Sequence, residues 1–426
     1  MMRISAALVL SLLLATCADR QHRNPLDPEA ADVAFVVGEL EARAGDSQVE
    51  LHWDFSHFDD ITGVRLLRQT ITADSQGQDL VRNLAKEVVE FIDEEVMNGT
   101  TYSYQLAIVV EGEGERPLER TRFASPGTES GWVADVGSNR VWRLAPDGRS
   151  SAFGKGPFPD IQAIALNGAD GSCWVSDRFL GGIVRISPDG QDELLDINLG
   201  EVGDLSIAPD RPRGWVVDSE QRRVFSFELE IGTSDSADVN EVDASFAESV
   251  VLSATSGGCW IGDRAGSRII LAAEDGSRAA EWHQLEQLGP IAAGPSATEL
   301  GEAEAWALIR DGGALIHLAA AGSTALEVEL PFSAGVALDV DAVTGNCWVL
   351  GEQQSGSIAT FDRTGTLLRL WEDLPVLHDL AVDGDNRQIW LAGGGVVWKL
   401  AIDADEAVQL RGFGQSVQIE VDPGNR

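Results

Sequence analysis

The sequence predicts an all-β protein in two parts, a small β-sandwich followed by a ring of repeated four-stranded units. Short stretches that alternate apolar and polar residues lie between residues 33 and 127. From Trp132 onward a tryptophan recurs at a regular interval, and the chain ends in a strand that has no partner in its own repeat. With 44% hydrophobic residues, the 426-residue chain can fill more than one packed core.

The chain begins with the pattern of a secretory signal. Arg3 precedes an apolar run that ends at Leu14, shorter than the ~20 residues that span a bilayer. The following residues, Ala15-Thr16-Cys17, resemble with Leu14 a bacterial lipobox, although Thr16 stands where Gly, Ala or Ser is usual. The resemblance implies a signal peptide over residues 1–16 and acylation of Cys17, with an ordinary signal peptide as the alternative.

This leader predicts where the protein acts. The residue after the cysteine is Ala18 rather than Asp, which favours lipid anchoring to the outer membrane, on its periplasmic or surface side. A secreted or periplasmic protein is the alternative. Residues 17–32 are polar, include Asn24-Pro25-Leu26-Asp27-Pro28 and show no periodicity, so they predict a flexible tether.

Charge and cysteine usage narrow the partners. The chain has 31 Lys and Arg against 69 Asp and Glu, a formal net charge of −38, which repels nucleic acid. We expect a monomer that binds a protein or glycan ligand and meets the membrane only through the anchor at Cys17. Cys173, Cys259 and Cys347 each precede a tryptophan at the same place in the repeat, so they predict free, buried thiols.

Residues 33–127 predict a β-sandwich. Val49-Glu50-Leu51-His52-Trp53, Gly63 to Arg68 and Asn98 to Tyr104 follow one another with turns between them. In this order they resemble the second strand with its core tryptophan, the third strand and the tyrosine corner of a fibronectin type III domain. The resemblance implies a spacer or a protein-binding module.

The repeats occupy residues 130–426. The tryptophans follow one another every 41 to 46 residues, the length of one four-stranded propeller blade, at positions Trp132, Trp174, Trp215, Trp260, Trp306, Trp348 and Trp390. Copies such as Trp132-Val133-Ala134-Asp135 followed by Asn139-Arg140-Val141 resemble NHL and related propellers, including the YVTN and gluconolactonase-related groups. The orphan strand Val417 to Asp422 supplies the strand that the first copy lacks. The sequence therefore predicts a seven-bladed β-propeller, with six blades as the alternative, closed by the C-terminal strand.

A candidate ligand site follows from the strands that precede the tryptophans, because these are innermost in their blades. One parity of each strand is apolar and the other is small or polar, which places the polar set along the axial channel. This set gathers Asp204, Asp339, Asp379 and Glu420 around one axis, and Gln418 and His378 lie nearby as further candidate channel residues. No cofactor is required, but calcium is a possible ligand of Asp204, Asp339, Asp379 and Glu420, with solvated acids in a water-filled channel as the alternative.

Two further patterns have a structural interpretation. Asp135, Asp177, Asp218 and Asp263 each end a strand before a turn, where a carboxylate accepts backbone N–H bonds. The repeated tryptophans predict packing between blades rather than a ligand platform. Two longer insertions, Glu228 to Ala247 and Gly294 to Glu304, are candidate partner-binding loops.

The sequence favours binding over catalysis. It contains no Gly-x-Ser-x-Gly elbow, zincin motif, phosphate loop or Cys-x-x-Cys pair. We expect a non-catalytic binding or scaffold lipoprotein that presents its propeller on a fibronectin-like stalk. The alternative is a metal-dependent propeller enzyme that resembles lactonases or lyases of related folds.

Overall fold

The structure is a computed structural model in which residues 40–422 are described, apart from several gaps. The gaps are residues 56–60, 71–79, 99, 101, 113, 125, 128–129, 146–149, 155, 169, 188–189, 196, 198, 210, 230–238, 247–249, 296–301, 321–325, 352–355, 403–406, 412 and 414–415. The predicted signal peptide, the lipidation site Cys17 and the tether lie outside the described residues. Among the residues described, no helix has the length and hydropathy to cross a membrane.

Residues 40–124 form two facing antiparallel sheets. The strands are β1 (Glu41–Gly45), β2 (Gln48–His52), β3 (Ile61–Thr70), β4 (Leu80–Ala85), β5 (Glu90–Asp93), β6 (Tyr102–Val110) and β7 (Gly114–Ala124). One sheet has the order β1-β2-β5 and the other has the order β4-β3-β6-β7. Alternate residues of β2 and β6 are buried between the sheets, as the period of two requires.

The core of this sandwich contains the aromatic residues that the sequence singled out. Trp53 and Tyr104 are almost fully buried, and the hydroxyl of Tyr102 accepts a hydrogen bond from the Met97 backbone N at 2.9 Å. A buried ion pair joins Arg68 to Asp93, with Nη1 2.8 Å from Oδ2. The relation to fibronectin type III domains stays a prediction, because it is carried by the sequence resemblance alone.

From Ser130 onward the described strands form seven four-stranded antiparallel sheets, which we number 1 to 7 by their tryptophans. The innermost strands of sheets 2 to 7 are β11 (Ile161–Leu166), β15 (Val202–Ile207), β19 (Val250–Thr255), β23 (Ile291–Ala293), β27 (Gly335–Val340) and β31 (Asp379–Asp383). The second strands carry the tryptophans and are β8 (Ser130–Asp135), β12 (Cys173–Asp177), β16 (Arg213–Asp218), β20 (Gly258–Asp263), β24 (Glu304–Ile309), β28 (Cys347–Gly351) and β32 (Gln388–Gly393).

Two further strands complete each sheet toward the outside. The third strands are β9 (Arg140–Leu144), β13 (Gly182–Ile186), β17 (Arg223–Glu228), β21 (Arg268–Ala273), β25 (Ala314–Ala319), β29 (Gly356–Phe361) and β33 (Val396–Ala401). The outermost strands are β10 (Ser150–Phe153), β14 (Asp192–Leu195), β18 (Val239–Glu241), β22 (Arg278–His283), β26 (Leu326–Glu329), β30 (Leu367–Leu374) and β34 (Ala407–Arg411).

The C-terminal strand β35 (Ser416–Asp422) is the innermost strand of sheet 1 and pairs antiparallel with β8. Ile419 lies opposite Val133, and Glu420 lies opposite Trp132. The predicted pairing of the orphan strand beside the Trp132 strand is therefore confirmed. Because β35 also contacts β31 and β11, the seven innermost strands close into a ring. The all-β propeller fold is confirmed.

The repeated tryptophans pack between neighbouring sheets. Six of the seven have less than 2% of their surface exposed. A Cβ atom added to Gly131 of sheet 1 would lie only 2.8 Å from the ring of Trp390 in sheet 7, so this contact requires glycine. On the third strands, Arg143 and Lys399 lie over the rings of Trp132 and Trp390. The predicted packing role of the tryptophans is confirmed.

We expect the C-terminal strand to be essential for cooperative folding. A chain that stops after residue 415 leaves the inner edge of β8 without a partner and removes the contacts of β35 with β31 and β11. A chain that stops after residue 422 keeps β35 and is the control. Circular dichroism during urea unfolding is expected to show one sharp transition for the control and a broad or absent one for the shorter chain; equal transitions would contradict the closure.

The three described cysteines are free and buried, as the sequence predicts. Burial raises the pKa of the thiols of Cys173, Cys259 and Cys347 well above the ordinary value. We expect a thiol reagent such as dithionitrobenzoate to label none of the three within minutes in the folded protein and all three in urea. Rapid labelling of the folded protein at pH 8 would contradict this placement.

Candidate functional site: the axial channel

The innermost strands enclose a cavity of about 300 Å³ on the axis of the ring. Of the six candidate residues, five line it: Asp204, Asp339, Asp379, Gln418 and Glu420. His378 does not, which corrects its placement beside the channel: it precedes β31 on a connector, its side chain is exposed, and its backbone N bonds to the Ala392 carbonyl at the end of the sheet.

The channel side chains lie in two layers. The tryptophan layer consists of the residues paired directly with the tryptophans, which are Glu420, Ala165, Ser206, Ser253, Ala292, Asp339 and Ala381 in sheets 1 to 7. The second layer lies two residues earlier on the same strands and includes Gln418, Asp204 and Asp379. Successive residues of a strand point to opposite faces, so the two layers share one face of each innermost strand.

Side chains of both layers bond to the backbone of the next sheet. Gln418 of sheet 1 accepts from the Ile164 backbone N at 2.9 Å and donates to the Ile164 carbonyl at 3.2 Å. In the tryptophan layer, the Ser206 hydroxyl accepts from the Ala254 backbone N at 2.9 Å, and the Ser253 hydroxyl accepts from that of Ala293 at 2.8 Å. These bonds satisfy innermost-strand amides that no strand of their own sheet reaches.

We call the hydrogen bonds from channel side chains to the amides of the innermost strands the belt. Each of the three aspartates accepts two of these bonds. Asp204 accepts from Leu205 of its own strand at 2.9 Å and from Leu252 of sheet 4 at 2.8 Å. Asp339 accepts from Val340 of its own strand at 2.8 Å and from Val382 of sheet 7 at 2.7 Å.

Asp379 repeats the arrangement. It accepts from the Leu380 backbone N of its own strand and, at 2.9 Å, from the Ile419 backbone N of sheet 1. A carboxylate can bridge in this way because its two oxygens accept independently.

The three aspartates share one feature of the sheet that precedes them. In each case the preceding sheet has an alanine where the belt needs an acceptor: Ala163 before Asp204, Ala292 before Asp339 and Ala337 before Asp379. An alanine cannot accept a hydrogen bond from the amide of the next sheet. The aspartate of that sheet therefore accepts from this amide, on its own strand, and also from the corresponding amide of the sheet that follows. Sequence parity alone assigned these residues to ligand binding, whereas their hydrogen bonds give them a structural role.

Glu420 is the exception among the channel acids. It lies in the tryptophan layer like Asp339, but no described residue donates a hydrogen bond to its carboxylate. Its side chain has one more methylene group than aspartate. Glu420 therefore stands in the channel without the contacts that tie the three aspartates to the wall.

Burial controls the protonation of these acids. It raises the pKa of Asp204 and Asp339 to about 6 and that of Asp379 to about 7, because it outweighs the N–H bonds that favour the ionised form. The pKa of Glu420 is raised well above its ordinary value by burial first and then by repulsion from the other three acids. Arg264, on the turn after β20, is the basic group whose charge acts on Asp204.

Calcium binding by the channel acids stays a prediction. Within the part of the chain that the structure describes, no group of three or more His, Cys, Asp or Glu side chains is arranged to hold a metal ion. The three aspartates direct at least one oxygen each to a neighbouring strand, which opposes their convergence on a common ion.

Other acids of the repeat have the structural role that the sequence predicts. Asp135, Asp177, Asp218 and Asp263 accept hydrogen bonds from backbone amides in the turns that follow them. Asp177 and Asp218 also accept from the connectors that lead into their own sheets. The structural interpretation of these four is confirmed.

Sequence reasoning missed Ser253 and Arg264. Ser253 precedes Trp260 by seven residues, and the signal was present, because Val250 to Thr255 has the same parity as the other innermost strands. Arg264 carried no such signal, since it reaches Asp204 only through the packing of sheets 3 and 4.

A second cavity, of about 610 Å³, lies where the turn after β16 meets the connector between sheets 3 and 4. Arg222, Arg223 and Arg278 line it together with Glu241 of the acidic insertion. Salt bridges engage two of the arginines, Arg223 with Glu241 and Arg278 with Glu281. The described part of the insertion is thus one wall of a mixed-charge cavity.

Comparisons with known proteins bear on the fold. No protein-family model and no curated protein matches the sequence. Among solved structures, apo AztD from Citrobacter koseri is similar with a TM-score of 0.52 at 11% identity, over 69% of this chain and 97% of that one.

A streptogramin B lyase is similar with a TM-score of 0.51 at 14% identity, over 68% of this chain and 91% of that one. A functionally unknown protein from Desulfotomaculum acetoxidans has a TM-score of 0.53 at 14% identity, over 68% and 98%. At these identities the likeness shows the β-propeller fold alone.

We expect the channel aspartates to stabilise the ring. Asp379→Asn keeps the size of the side chain but replaces one acceptor oxygen by an NH2 group that faces a backbone donor. Losing a hydrogen bond to a charged group costs on the order of 1.5–3 kcal/mol of unfolding free energy. Urea denaturation at pH 8 measures it, with Asp243→Asn on the exposed connector as the control. Equal stability of the two variants would contradict the bridging role.

Proposed function

We propose that this protein is an exported, lipid-anchored binding protein whose propeller takes a positively charged ligand into its axial channel. The observation that carries the proposal is that four acidic side chains line one cavity of about 300 Å³. Export and anchoring rest on the leader and on Cys17, and the fibronectin-like module serves as the stalk. Protein and glycan ligands that present a cationic group are both compatible with this site.

Electrostatics supports a cationic ligand. Glu420 is repelled by Asp204, Asp339 and Asp379, and Asp379 is repelled by Asp339. A positive charge in the cavity relieves this repulsion and stabilises the ionised carboxylates. The net charge of −38 adds long-range attraction for cations, which raises the rate of encounter without fixing where they bind.

Catalysis is the less favoured function. The similarity to a streptogramin B lyase supports a common fold and carries no residue of an active site. The lactonases of related propellers use a clustered Glu, Asn and Asp set, and the innermost strands here offer Asp and Glu without a matching pair of Asn. A lactonase-like or lyase-like activity therefore stays a prediction from resemblance.

The test fills the channel. Ala165 lines the cavity in the tryptophan layer of sheet 2, so Ala165→Phe places a ring in the space that the ligand needs. Ala279 is exposed on the outermost strand of sheet 4, so Ala279→Phe adds the same ring away from the channel. We expect spermidine or calcium, at a hundredfold excess over Kd, to stabilise the wild type and Ala279→Phe by about 2.7 kcal/mol, which raises the Tm by a few degrees.

Ala165→Phe is expected to lose this stabilisation. Calorimetric titration at constant ionic strength excludes general screening of the surface charge. Cation stabilisation that is equal in all three proteins would place the binding on the acidic surface and contradict a channel site.

A further inference from the structure

The acids of the channel are not equivalent. Each aspartate holds its own strand and the next sheet through two backbone amides, so its carboxylate is already engaged. Glu420 is enclosed by the same wall and has no described donor. Its carboxylate is open to the cavity, so a positively charged ligand in the channel can reach it and stabilise its ionised form.

We propose that Glu420 is the ligand-contacting residue of the channel and that it takes one organic ammonium group, as found on a polyamine or at the end of a lysine side chain. The inference rests on the proposed function, that the channel binds a cation, and it narrows the ligand from cations in general to a monovalent nitrogen cation.

The donor chemistry favours an ammonium group over a divalent metal. Calcium takes six to eight oxygen ligands, and no described group of acids in this chain is arranged to hold a metal. An ammonium group has three N–H donors, which one carboxylate and neutral oxygens can accept. Ser206 and Ser253 share the tryptophan layer with Glu420, and each hydroxyl oxygen keeps a second lone pair after accepting its backbone bond.

The cavity agrees with this ligand class. Its volume of about 300 Å³ accommodates an alkyl chain with a terminal ammonium group. Ala165, Ala292 and Ala381 line it between the polar positions, so methylene groups of such a chain meet apolar contacts as well.

Binding is then coupled to loss of a proton from Glu420. The groups that act on Glu420 are Asp204 on β15, Asp339 on β27 and Asp379 on β31, and its own charge acts on the Cys173 thiol of β12. With the channel empty, burial and these acids raise the pKa of Glu420 well above its ordinary value, which favours its neutral form. An ammonium group stabilises the carboxylate, so affinity rises with pH until Glu420 is ionised without ligand and then levels off.

The experiment compares Glu420→Gln with Asp339→Asn, which removes an acid from the same layer. Spermidine and Nα-acetyl-lysine methylamide are titrated calorimetrically at several pH values between 6 and 9 and at constant ionic strength, with calcium chloride as the divalent probe. Wild-type affinity for the amines is expected to rise with pH by up to about tenfold per unit, the slope of one released proton.

Glu420→Gln is expected to bind the amines at least about tenfold more weakly, without a loss of Tm. It is also expected to lose the step at highest pH, by which we mean the last rise of amine affinity as the pH increases. Asp339→Asn is expected to lower the Tm and to keep that step. Preference for one of the two amines identifies the source of the ammonium group.

Three results would overturn the role of Glu420: unchanged amine affinity in Glu420→Gln, loss of the highest-pH step in Asp339→Asn, or tighter binding of calcium than of both amines. If Ala165→Phe abolishes binding in any of these cases, the channel still binds a cation and only the assignment of Glu420 and its ligand fails. If Ala165→Phe binds the amines like the wild type, the proposed function itself fails.

Discussion

The ring depends on how the inner edge of each sheet is satisfied. An innermost strand has a strand on one side only, and its other edge presents backbone N–H groups toward the axis. Unpaired amides in an enclosed place are costly, and a closed ring leaves no room for a further strand. Here side chains of one sheet accept from the innermost strand of the next, at Gln418, Asp204, Ser206, Ser253, Asp339 and Asp379. These bonds also fix each sheet against its neighbour.

The belt requires the sheets to stand at a constant separation, and the tryptophans provide it. Each tryptophan lies on the second strand of its sheet and pairs with a residue of the tryptophan layer. A large buried side chain therefore stands behind each of these channel positions. Where Gly131 of sheet 1 meets the ring of Trp390 in sheet 7, the residue facing the ring has no side chain. Packing and hydrogen bonding are therefore two aspects of one contact between sheets.

Using aspartates as acceptors has a consequence for function. A serine or glutamine can cap an amide as a neutral group, but a carboxylate caps two amides and brings a negative charge into the protein. Three such residues around one axis make the channel acidic whether or not a ligand exists, and they raise the pKa of a fourth acid, Glu420, that makes no comparable contacts. The structural belt thus creates the electrostatic environment in which Glu420 would meet a cation.

Sequence periodicity determined most of the fold. The regular tryptophans, the parity of the innermost strands and the orphan strand ending at Asp422 are local patterns, and local patterns fix which residues form strands and which strand closes the ring. Parity also brought Asp204, Asp339, Asp379, Gln418 and Glu420 to one channel, because it decides which face of a strand a residue occupies. It could not rank them. Which acid bonds to Leu252, Val382 or Ile419 depends on the neighbouring sheet, 40 or more residues away in the chain. His378 was placed near the channel because it precedes Asp379, but it belongs to the connector before β31. The difference between a bridging aspartate and an unengaged glutamate was decided only by the tertiary structure, since hydrogen bonds between sheets form across distances that no sequence period encodes.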